Sequence, residues 1–354
     1  MTTTRAPSMD ARAVGSQPDG VTLRLSVDLD AEVPQLWAVA DAVRRDAGEI
    51  DLSTVDGMRA YYRNLENCDP ATDLVIARRG DEVVGYARVL WSDTTDGERW
   101  YECACFVHPS ERRRGLGRRL LEWTERRRVE VAAAEAATLN GRPAWLTTYI
   151  HDGDVGGDVL LRSAGYEPIR RFFSMRRPDL DELPVVPLPE GLEIRPIAFE
   201  PDAMKAVIAA DHEAFQDHFG SVEDVETFYG QVMEDPDSDV SLWVVAFDGD
   251  EVAGAVLNGV RSSEPTVGWL DSIFTRRPWR QRGLARALIA HSLRLLREHG
   301  MTQAALGVDA SNPNQALRLY ESCGFEVASS STAYRKPLPA DDVSPAVRVQ
   351  EPRG

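Results

Sequence analysis

The sequence predicts a mixed α/β fold that is written twice along one chain. Apolar strand-like runs alternate with segments of helical period and with hairpin signals, which is typical of a mixed sheet covered by helices. The chain also aligns with itself at a spacing of about 170 residues. In each copy a basic, glycine-containing turn joins a strand to a helix.

Four pairs of segments establish the duplication. Segments 81–89 and 250–258 read DEVVGYARV and DEVAGAVLN, and segments 112–117 and 280–285 read RRRGLG and RQRGLA. Two shorter pairs are LRL with IRP, at 23–25 and 194–196, and AGYE with CGFE, at 164–167 and 323–326. The order is preserved and the period far exceeds that of solenoid repeats, so we infer a tandem duplication of a domain.

Each copy predicts the same order of elements. An opening strand precedes a helix, a hairpin, a central strand, the glycine turn, an amphipathic helix and a further strand. The predicted strands and helices are 21–27, 33–46, 74–77, 83–90, 100–107 and 144–150 in the first copy, and 192–197, 202–215, 242–247, 252–260, 267–274 and 304–308 in the second. Gly300 is expected to end the helix that follows the second glycine turn.

This pattern gives a domain organisation with two units. We expect disordered tails at residues 1–19 and 339–354, because neither segment carries an apolar periodicity. The first domain covers 20–178 and the second 190–338. Residues 179–189, rich in proline and acids, form a linker that we expect to be extended.

Composition excludes several classes of protein. The formal net charge of −17 argues against a nucleic-acid-binding surface. No apolar run approaches the ~20 residues of a membrane span, and the N-terminus lacks the apolar core of a secretory signal. The four cysteines are scattered and form no CxxC pair, so neither a disulfide framework nor a metal site is expected. A cytoplasmic setting fits these features.

Arginine is concentrated at 112–114 and 276–282, at the start of two helices. Basic side chains there oppose the helix dipole, so they need another reason to be present. In Arg280-x-x-Gly283-x-Ala285 the small residues let the backbone approach a bulky phosphate. A helix start without a ligand is the alternative. The position after a strand and before an amphipathic helix, found twice, favours an anion site.

These residues resemble the GNAT superfamily of acyl-CoA-dependent N-acetyltransferases. The R/Q-x-x-G-x-G/A signature stands as Arg112-x-x-Gly115-x-Gly117 and as Arg280-x-x-Gly283-x-Ala285. A second signature, an Asn-led helix ending in Tyr-Glu-x-x-Gly-Phe, runs from Asn312 to Phe325. The resemblance covers roughly 20–338 and implies two tandem GNAT-like acyl-CoA N-acyltransferase domains. The layout is similar to that of mycothiol synthase, in which the C-terminal copy is the catalytic one.

The resemblance implies acetyl-CoA as co-substrate. Its pantetheine arm would pair with Ile273, Phe274 and Thr275, and a main-chain N–H near Phe274 would polarise the thioester carbonyl. Asn312 would reach the same arm, although a helix N-cap alone is an equal alternative. The pyrophosphate would bind the turn and helix start formed by Arg280, Gln281, Arg282, Gly283, Leu284, Ala285 and Arg286.

By the same resemblance, Tyr320 would protonate the departing thiolate, and a packed aromatic residue is the alternative. Asp271 is the candidate general base, because it lies two residues beyond Trp269, which stands where the family often has a glutamate. The alternative for Asp271 is an acid that accepts strand-end hydrogen bonds. Asp217 and His218 are weaker candidates for binding the acceptor, and a solvated loop is the alternative there.

The first copy keeps Arg112, Gly115 and Gly117 but has Leu161 where the second has Tyr320, and Gly153 where it has Asn312. Leucine cannot donate a proton to sulfur. We therefore expect a degenerate first domain that can bind acetyl-CoA without turnover.

The sequence thus predicts an acetyl-CoA-dependent N-acetyltransferase, monomeric or homodimeric, acting on a primary amine of a small molecule. The amine attacks directly in a ternary complex, since Cys323 lies in a helix-end turn and is expected to be packed. A non-catalytic acyl-CoA sensor is the alternative from another class. A mycothiol-synthase-type reaction on an amino-sugar–cysteine acceptor is the alternative among enzymes.

Overall fold

A computed structural model describes residues 13–16, 20–48, 54–94, 97–197, 199–215, 225–234, 238–261, 264–310 and 316–339. Within these ranges each half contains the predicted series of strands and helices, and the mixed α/β class is confirmed. No helix in these ranges is both long and apolar enough to cross a bilayer.

The first half has seven strands and six α-helices among its described residues. They are β1 (Ala13–Ser16), β2 (Val21–Leu25), α1 (Leu29–Ala47), α2 (Val55–Arg63), α3 (Pro70–Asp73), β3 (Leu74–Arg79), β4 (Glu82–Asp93), β5 (Arg99–Val107), α4 (Leu116–Ala134), α5 (Ala136–Leu139), β6 (Ala144–His151), α6 (Val155–Ser163) and β7 (Glu167–Arg177). Strand β1 pairs with β2 and lies inside the segment for which the sequence predicts a disordered tail.

The second half repeats the order with six strands and four α-helices among its described residues. They are β8 (Glu193–Arg195), α7 (Pro201–Phe215), α8 (Val225–Glu234), β9 (Val244–Asp248), β10 (Glu251–Val260), β11 (Val267–Thr275), α9 (Leu284–Glu298), β12 (Gln303–Asp309), α10 (Ala316–Ser322) and β13 (Glu326–Pro337).

Helix α9 shows why the sequence folds in this way. Leu288, Ile289, Leu293 and Leu296 recur at helical spacing and are all fully buried against the sheet. The helix ends where Gly300 adopts φ +90°, a conformation that costs glycine little, and the predicted C-terminal glycine is confirmed.

All thirteen strands form one continuous sheet, in the order β1-β2-β3-β4-β5-β6-β13-β7-β12-β11-β10-β9-β8. The last strand of each half therefore lies in the other half: β13 pairs with β6, and β7 pairs with β12. The two exchanged strands also pair with each other, from Glu326↔Arg176 to Arg335↔Glu167. The boundaries predicted at 178 and 190 divide the sequence into repeats, but they do not divide the sheet.

The segment between the halves has no regular secondary structure, and it is anchored to the second half. Leu180 is 2% exposed, and it joins Leu183 and Leu188 in the core that α9 covers. Arg297 on α9 donates to the Leu180 and Asp181 carbonyls. Apolar contacts and helix-to-linker hydrogen bonds together fix this connection.

Candidate active site

A cleft opens in the second half where two parallel strands separate. Strands β11 and β12 pair from Val267↔Gln303 to Leu270↔Leu306 and no further. Beyond that point β12 continues beside β7, while β11 keeps its pairing with β10 on the other side. Among the described residues, no strand pairs with the inner edge of β11 from Ile273 to Thr275.

A cavity of about 890 Å³ occupies this cleft. It brings together eleven of the residues predicted for the site: Asp271, Ile273, Phe274, Thr275, Arg280, Gln281, Gly283, Leu284, Ala285, Arg286 and Tyr320. Arg282 belongs to the same turn but does not line the cavity. Asn312 lies outside the described residues, as do Asp217 and His218.

The turn before α9 places a helix N-terminus at the cavity. Gln281 and Gly283 have φ values of +60° and +84°, and Gly283 is the N-cap residue. No side chain caps this helix. The N–H groups of its first turn have no partner within the helix, and such a terminus attracts anions.

The first half repeats this backbone with a different charge balance. Arg113 and Gly115 have φ values of +62° and +85°, which match the second turn. Arg112 forms an ion pair with Asp46. Arg114 lies 3.3 Å from Glu111, whose carboxyl pKa is held below its usual range chiefly by the hydrogen bond from Arg79. Arg112 and Arg114 of this turn are thus paired with carboxylates. Arg112, Gly115 and Gly117 do not line the cavity of the second half.

Two arginines at the second turn, Arg282 and Arg286, have neutral hydrogen-bond acceptors among the described residues. Arg282 donates to the Glu190 carbonyl over 3.3 Å, and Arg286 donates to Ser322 Oγ over 2.6 Å. Neither is paired with a carboxylate of the described residues. Arg280 braces the turn by donating to the carbonyls of Thr275 and Ala214, at 3.0 and 2.9 Å. The turn therefore keeps positive charge near the helix N-terminus.

Tyr320 lies on α10 with its side chain in the cavity wall and is 7% exposed. Burial raises the pKa of Tyr320 to about 12, with a smaller contribution from Cys323. The phenol is therefore protonated at neutral pH, as a proton donor must be.

Leu161 occupies the equivalent place on α6 of the first half. Its carbonyl accepts from the Tyr166 N–H, as the Tyr320 carbonyl accepts from the Phe325 N–H, at 3.0 and 3.1 Å. Leu161 is 4% exposed within an apolar cluster. The two helix ends match in backbone geometry, but only the second carries an ionisable group at this place.

Asp271 lies at a β-bulge beside the cavity. The register with β10 moves from Leu257↔Ser272 to Asn258↔Leu270, so Asp271 has no opposing residue. Its carboxylate lies 2.7 Å from Arg261. In the first half, β4 and β5 pair without a shift from Gly85↔Val107 to Asp93↔Arg99. The bulge therefore distinguishes the second half from the first.

Sequence reasoning missed several residues at or near the cavity, and three of them are Phe172, Asp309 and Asp211. Phe172, which lines it, comes from the exchanged strand β7, and Asp309 lines it with an Arg170 ion pair at 2.6 Å. Asp211 lies on α7 and accepts a hydrogen bond from Ser272, another lining residue. Asp211 could have been noticed, since it is an acid on the apolar helix face of Met204, Val207 and Ile208.

Within the described ranges, no group of three or more His, Cys, Asp or Glu side chains is arranged to hold a metal ion.

Comparison with known proteins agrees with the duplicated architecture. The acetyltransferase (GNAT) family profile matches residues 40–144 and 204–325. A mycothiol acetyltransferase from Thermobispora bispora is 31% identical over 73% of this chain and 81% of its own length.

Two solved structures share the fold. A GCN5-related N-acetyltransferase from Sphaerobacter thermophilus superposes with a TM-score of 0.69 at 26% identity, covering 91% of this chain and 97% of that one. A tandem GNAT protein from the clavulanic acid biosynthesis pathway gives a TM-score of 0.62 at 19% identity, covering 90% and 99%. With two family matches, a duplicated fold and the cleft at β11, this chain belongs to the GNAT family of acetyltransferases and is an N-acetyltransferase.

Proposed function

We propose that the second half binds acetyl-CoA in the cavity and transfers its acetyl group directly to a primary amine of a small molecule. The observation that carries this proposal is the convergence on one cavity of the free β11 edge, the N-terminus of α9 and the Tyr320 phenol. The first half has the matching turn but Leu161 instead of tyrosine, so we assign the chemistry to the second half.

The residues present fit coenzyme A. The backbone N–H groups of 281–286 would hold the pyrophosphate, assisted by Arg282 and Arg286. The backbone of 273–275 would pair with the pantetheine arm in the manner of an added strand. Thr275 Oγ1 is buried without a hydrogen-bond partner among the described residues, which supports a polar ligand group at this edge.

Acetyl-CoA supplies an acetyl group activated as a thioester. A main-chain N–H near Phe274 would stabilise the negative charge that develops on the carbonyl oxygen. Tyr320 would then protonate the coenzyme A thiolate. Asp271 lines the cavity, and its carboxylate lies 2.7 Å from the Arg261 guanidinium. We assign it to attracting and orienting the acceptor amine, and proton removal to another group.

A mycothiol-type acceptor is the second candidate, because a relative at 31% identity is a mycothiol acetyltransferase. On this reading the acceptor is the free amine of a cysteine joined to an amino sugar. Asp271 and Asp309 at the cavity wall offer carboxylate oxygens that can accept hydrogen bonds from an amine N–H in either case.

The test is a screen of primary amines with detection of released thiol and of the acetylated product. The full-length protein is incubated with acetyl-CoA and amino sugars, polyamines, amino-acid amides or cysteinyl amino sugars, the thiol of the last being blocked. We expect one amine class to raise thiol release at least tenfold over acetyl-CoA hydrolysis. Tight acetyl-CoA binding without transfer to any amine would instead favour an acyl-CoA sensor.

A further inference from the structure

Asp211 is a buried carboxyl group on the side of α7 that faces the central strand. Its residue is 9% exposed, and Ser272 Oγ donates a hydrogen bond to its Oδ1. Among the described residues no cation is paired with it. A buried carboxylate without a cation is costly, so its presence on an apolar helix face calls for an explanation.

Ser272 connects this carboxyl group to the cavity. Ser272 lines the cavity between Asp271 and Ile273, where β11 bulges away from β10. Ala214 and Phe215 follow Asp211 by three and four residues on α7, so they share its helix face, and both also line the cavity. Ser272 therefore belongs to the cavity wall formed by α7 and β11, and Asp211 lies behind it, joined to the serine hydroxyl by a hydrogen bond.

The pair is a feature of the second half. Gly254 and Gly85 are equivalent in the two repeats, and they pair with Thr275 and Val107. Ser272 lies three residues before Thr275, and Ala104 lies three residues before Val107. Ala104 thus holds the matching register position in the first half and has no hydroxyl group. The hydroxyl and Tyr320 occur in the same half.

We propose that Ser272 and Asp211 form the proton-accepting pair for the acceptor amine. As the amine nitrogen bonds to the thioester carbonyl carbon, its proton passes to Ser272 Oγ, and the serine proton passes to Asp211 Oδ1. The C–S bond breaks, the thiolate takes the Tyr320 proton, and amide and thiol are the products. Asp211 then returns its proton to water, and Tyr320 regains one. Ser272 touches substrate, and Asp211 is a positioning residue that acts through it. This inference rests on the proposed function.

Other charged groups on the surrounding elements have partners of their own. On α7, Glu213 pairs with Arg276, and His212 packs edge-on against Phe228 of α8. Lys205 of α7 bonds to Glu226 of α8. On β11, Asp271 pairs with Arg261, the residue after β10. Burial raises the pKa of Asp211 to about 6, and the Ser272 hydrogen bond opposes this rise. A carboxylate of that pKa is ionised at pH 7 and accepts a proton more readily than an ordinary one.

The experiment compares Asp211→Asn and Ser272→Ala with the full-length wild type. The amine used is the one that the wild type acetylates fastest among S-methyl-L-cysteinamide, glucosamine, spermidine and histamine. We expect the kcat of the wild type to decline below about pH 6. Asp211→Asn should lower kcat by about 10²–10³-fold and should lack this decline. Ser272→Ala should lower kcat at least tenfold. Asp202→Asn, at an exposed acid of the same helix, is the control and should match the wild type.

Retention of that acid limb in Asp211→Asn, or an unchanged kcat, would overturn the assignment. If Asp211→Asn does not fold, Ser272→Ala decides: an unchanged kcat with intact acetyl-CoA binding overturns it. A wild type that acetylates none of these amines, nor any in the wider screen, contradicts the proposed function itself. Wild-type activity with unaffected variants contradicts the Asp211–Ser272 assignment alone.

Discussion

Tyr320 and Leu161 occupy equivalent backbone positions in the two halves, but only the tyrosine side chain can donate a proton. Each lies four residues before a glycine at positive φ, Gly324 at +85° and Gly165 at +83°. Leu161 contributes to an apolar cluster, whereas Tyr320 presents a protonated phenol to the cavity. At this position the second half has a phenol in the cavity wall, and the first half has an alkyl side chain in an apolar cluster.

Asp211 gives a prediction for stability that does not depend on catalysis. Its pKa of about 6 in the folded chain lies above the ~3.9 expected when unfolded, so the native state binds the proton more tightly. Stability contributed by this group is present below about pH 4 and is lost as pH rises to about 6. Asp211→Asn should therefore be more stable than wild type at pH 8, by about 1–3 kcal/mol.

Urea unfolding at pH 5 and pH 8 measures this difference. The gain should be about 1 kcal/mol larger at pH 8, because Asp211 is partly protonated at pH 5. Asp202→Asn, at an exposed position on the same helix, should show no such gain. A gain that is equal at both pH values would contradict the raised pKa.

Residues of the site differ in how far the sequence could predict them. Gly283 and Tyr320 stand at fixed spacing within local signatures, and local spacing sets their place at a turn and on a helix face. Asp211 depends on the packing of α7 against a strand that lies about 60 residues later in the chain. The sequence around Asp211 does not indicate which hydroxyl group will donate a hydrogen bond to its carboxylate. The pairing with Ser272 could therefore be found only in the tertiary structure.

Among the elements, the two glycine turns offer a matched pair of substitutions. Gly283 and Gly115 have nearly equal φ values, and an added Cβ would meet no atom within 4 Å at either site. Alanine at positive φ costs about 1–2 kcal/mol, so both Gly→Ala variants should lose similar stability. In our account Gly283→Ala alone moves the N–H groups that hold the pyrophosphate, and it should lower kcat/KM for acetyl-CoA about tenfold.

Thermal unfolding and steady-state kinetics of the two variants test this. Gly115→Ala serves as the control for strain in the same backbone conformation. Equal losses of kcat/KM in both variants would show that the first turn also serves turnover, contrary to our assignment.

Helices and strands were the most predictable level of structure. Helix α9 and strands β10 and β11 end within one residue or so of the predicted limits, because apolar period and glycine caps define them. The β11 bulge was not predicted. The bulge depends on the register between two strands, and neither strand has a sequence pattern that predicts it.

The exchange of β7 and β13 joins the two halves of the chain. Because the halves are repeats, the last strand of each can pair at a similar position in its own half or in the other half. The local sequence does not indicate which of the two pairings forms. A fragment of residues 1–180 would lack both strands of the second half that pair with it. Strand β6 would lose its partner β13, and β7 would lose its partner β12. Such fragments therefore test folding before they test activity.

Cutting the connection tests the exchange directly. A protease site inserted after Val185, which is 87% exposed, allows cleavage of the folded chain. We expect the two fragments to co-elute in size-exclusion chromatography and to keep acetyl transfer, because β7 and β13 remain paired across the halves. The insertion variant before cleavage is the control. Fragments that separate without denaturant, with activity in the C-terminal one, would contradict the exchanged arrangement.

The central claim is that Tyr320 of the second half completes acetyl transfer from coenzyme A. Its most direct test is the kcat of Tyr320→Phe, measured by thiol release together with the Kd for acetyl-CoA. Tyr334→Phe, which removes a buried phenol outside the cavity, is the control. We predict that kcat falls by about 10–10³-fold in Tyr320→Phe with little change in Kd, and that the control keeps its kcat. An unchanged kcat in Tyr320→Phe would contradict the account.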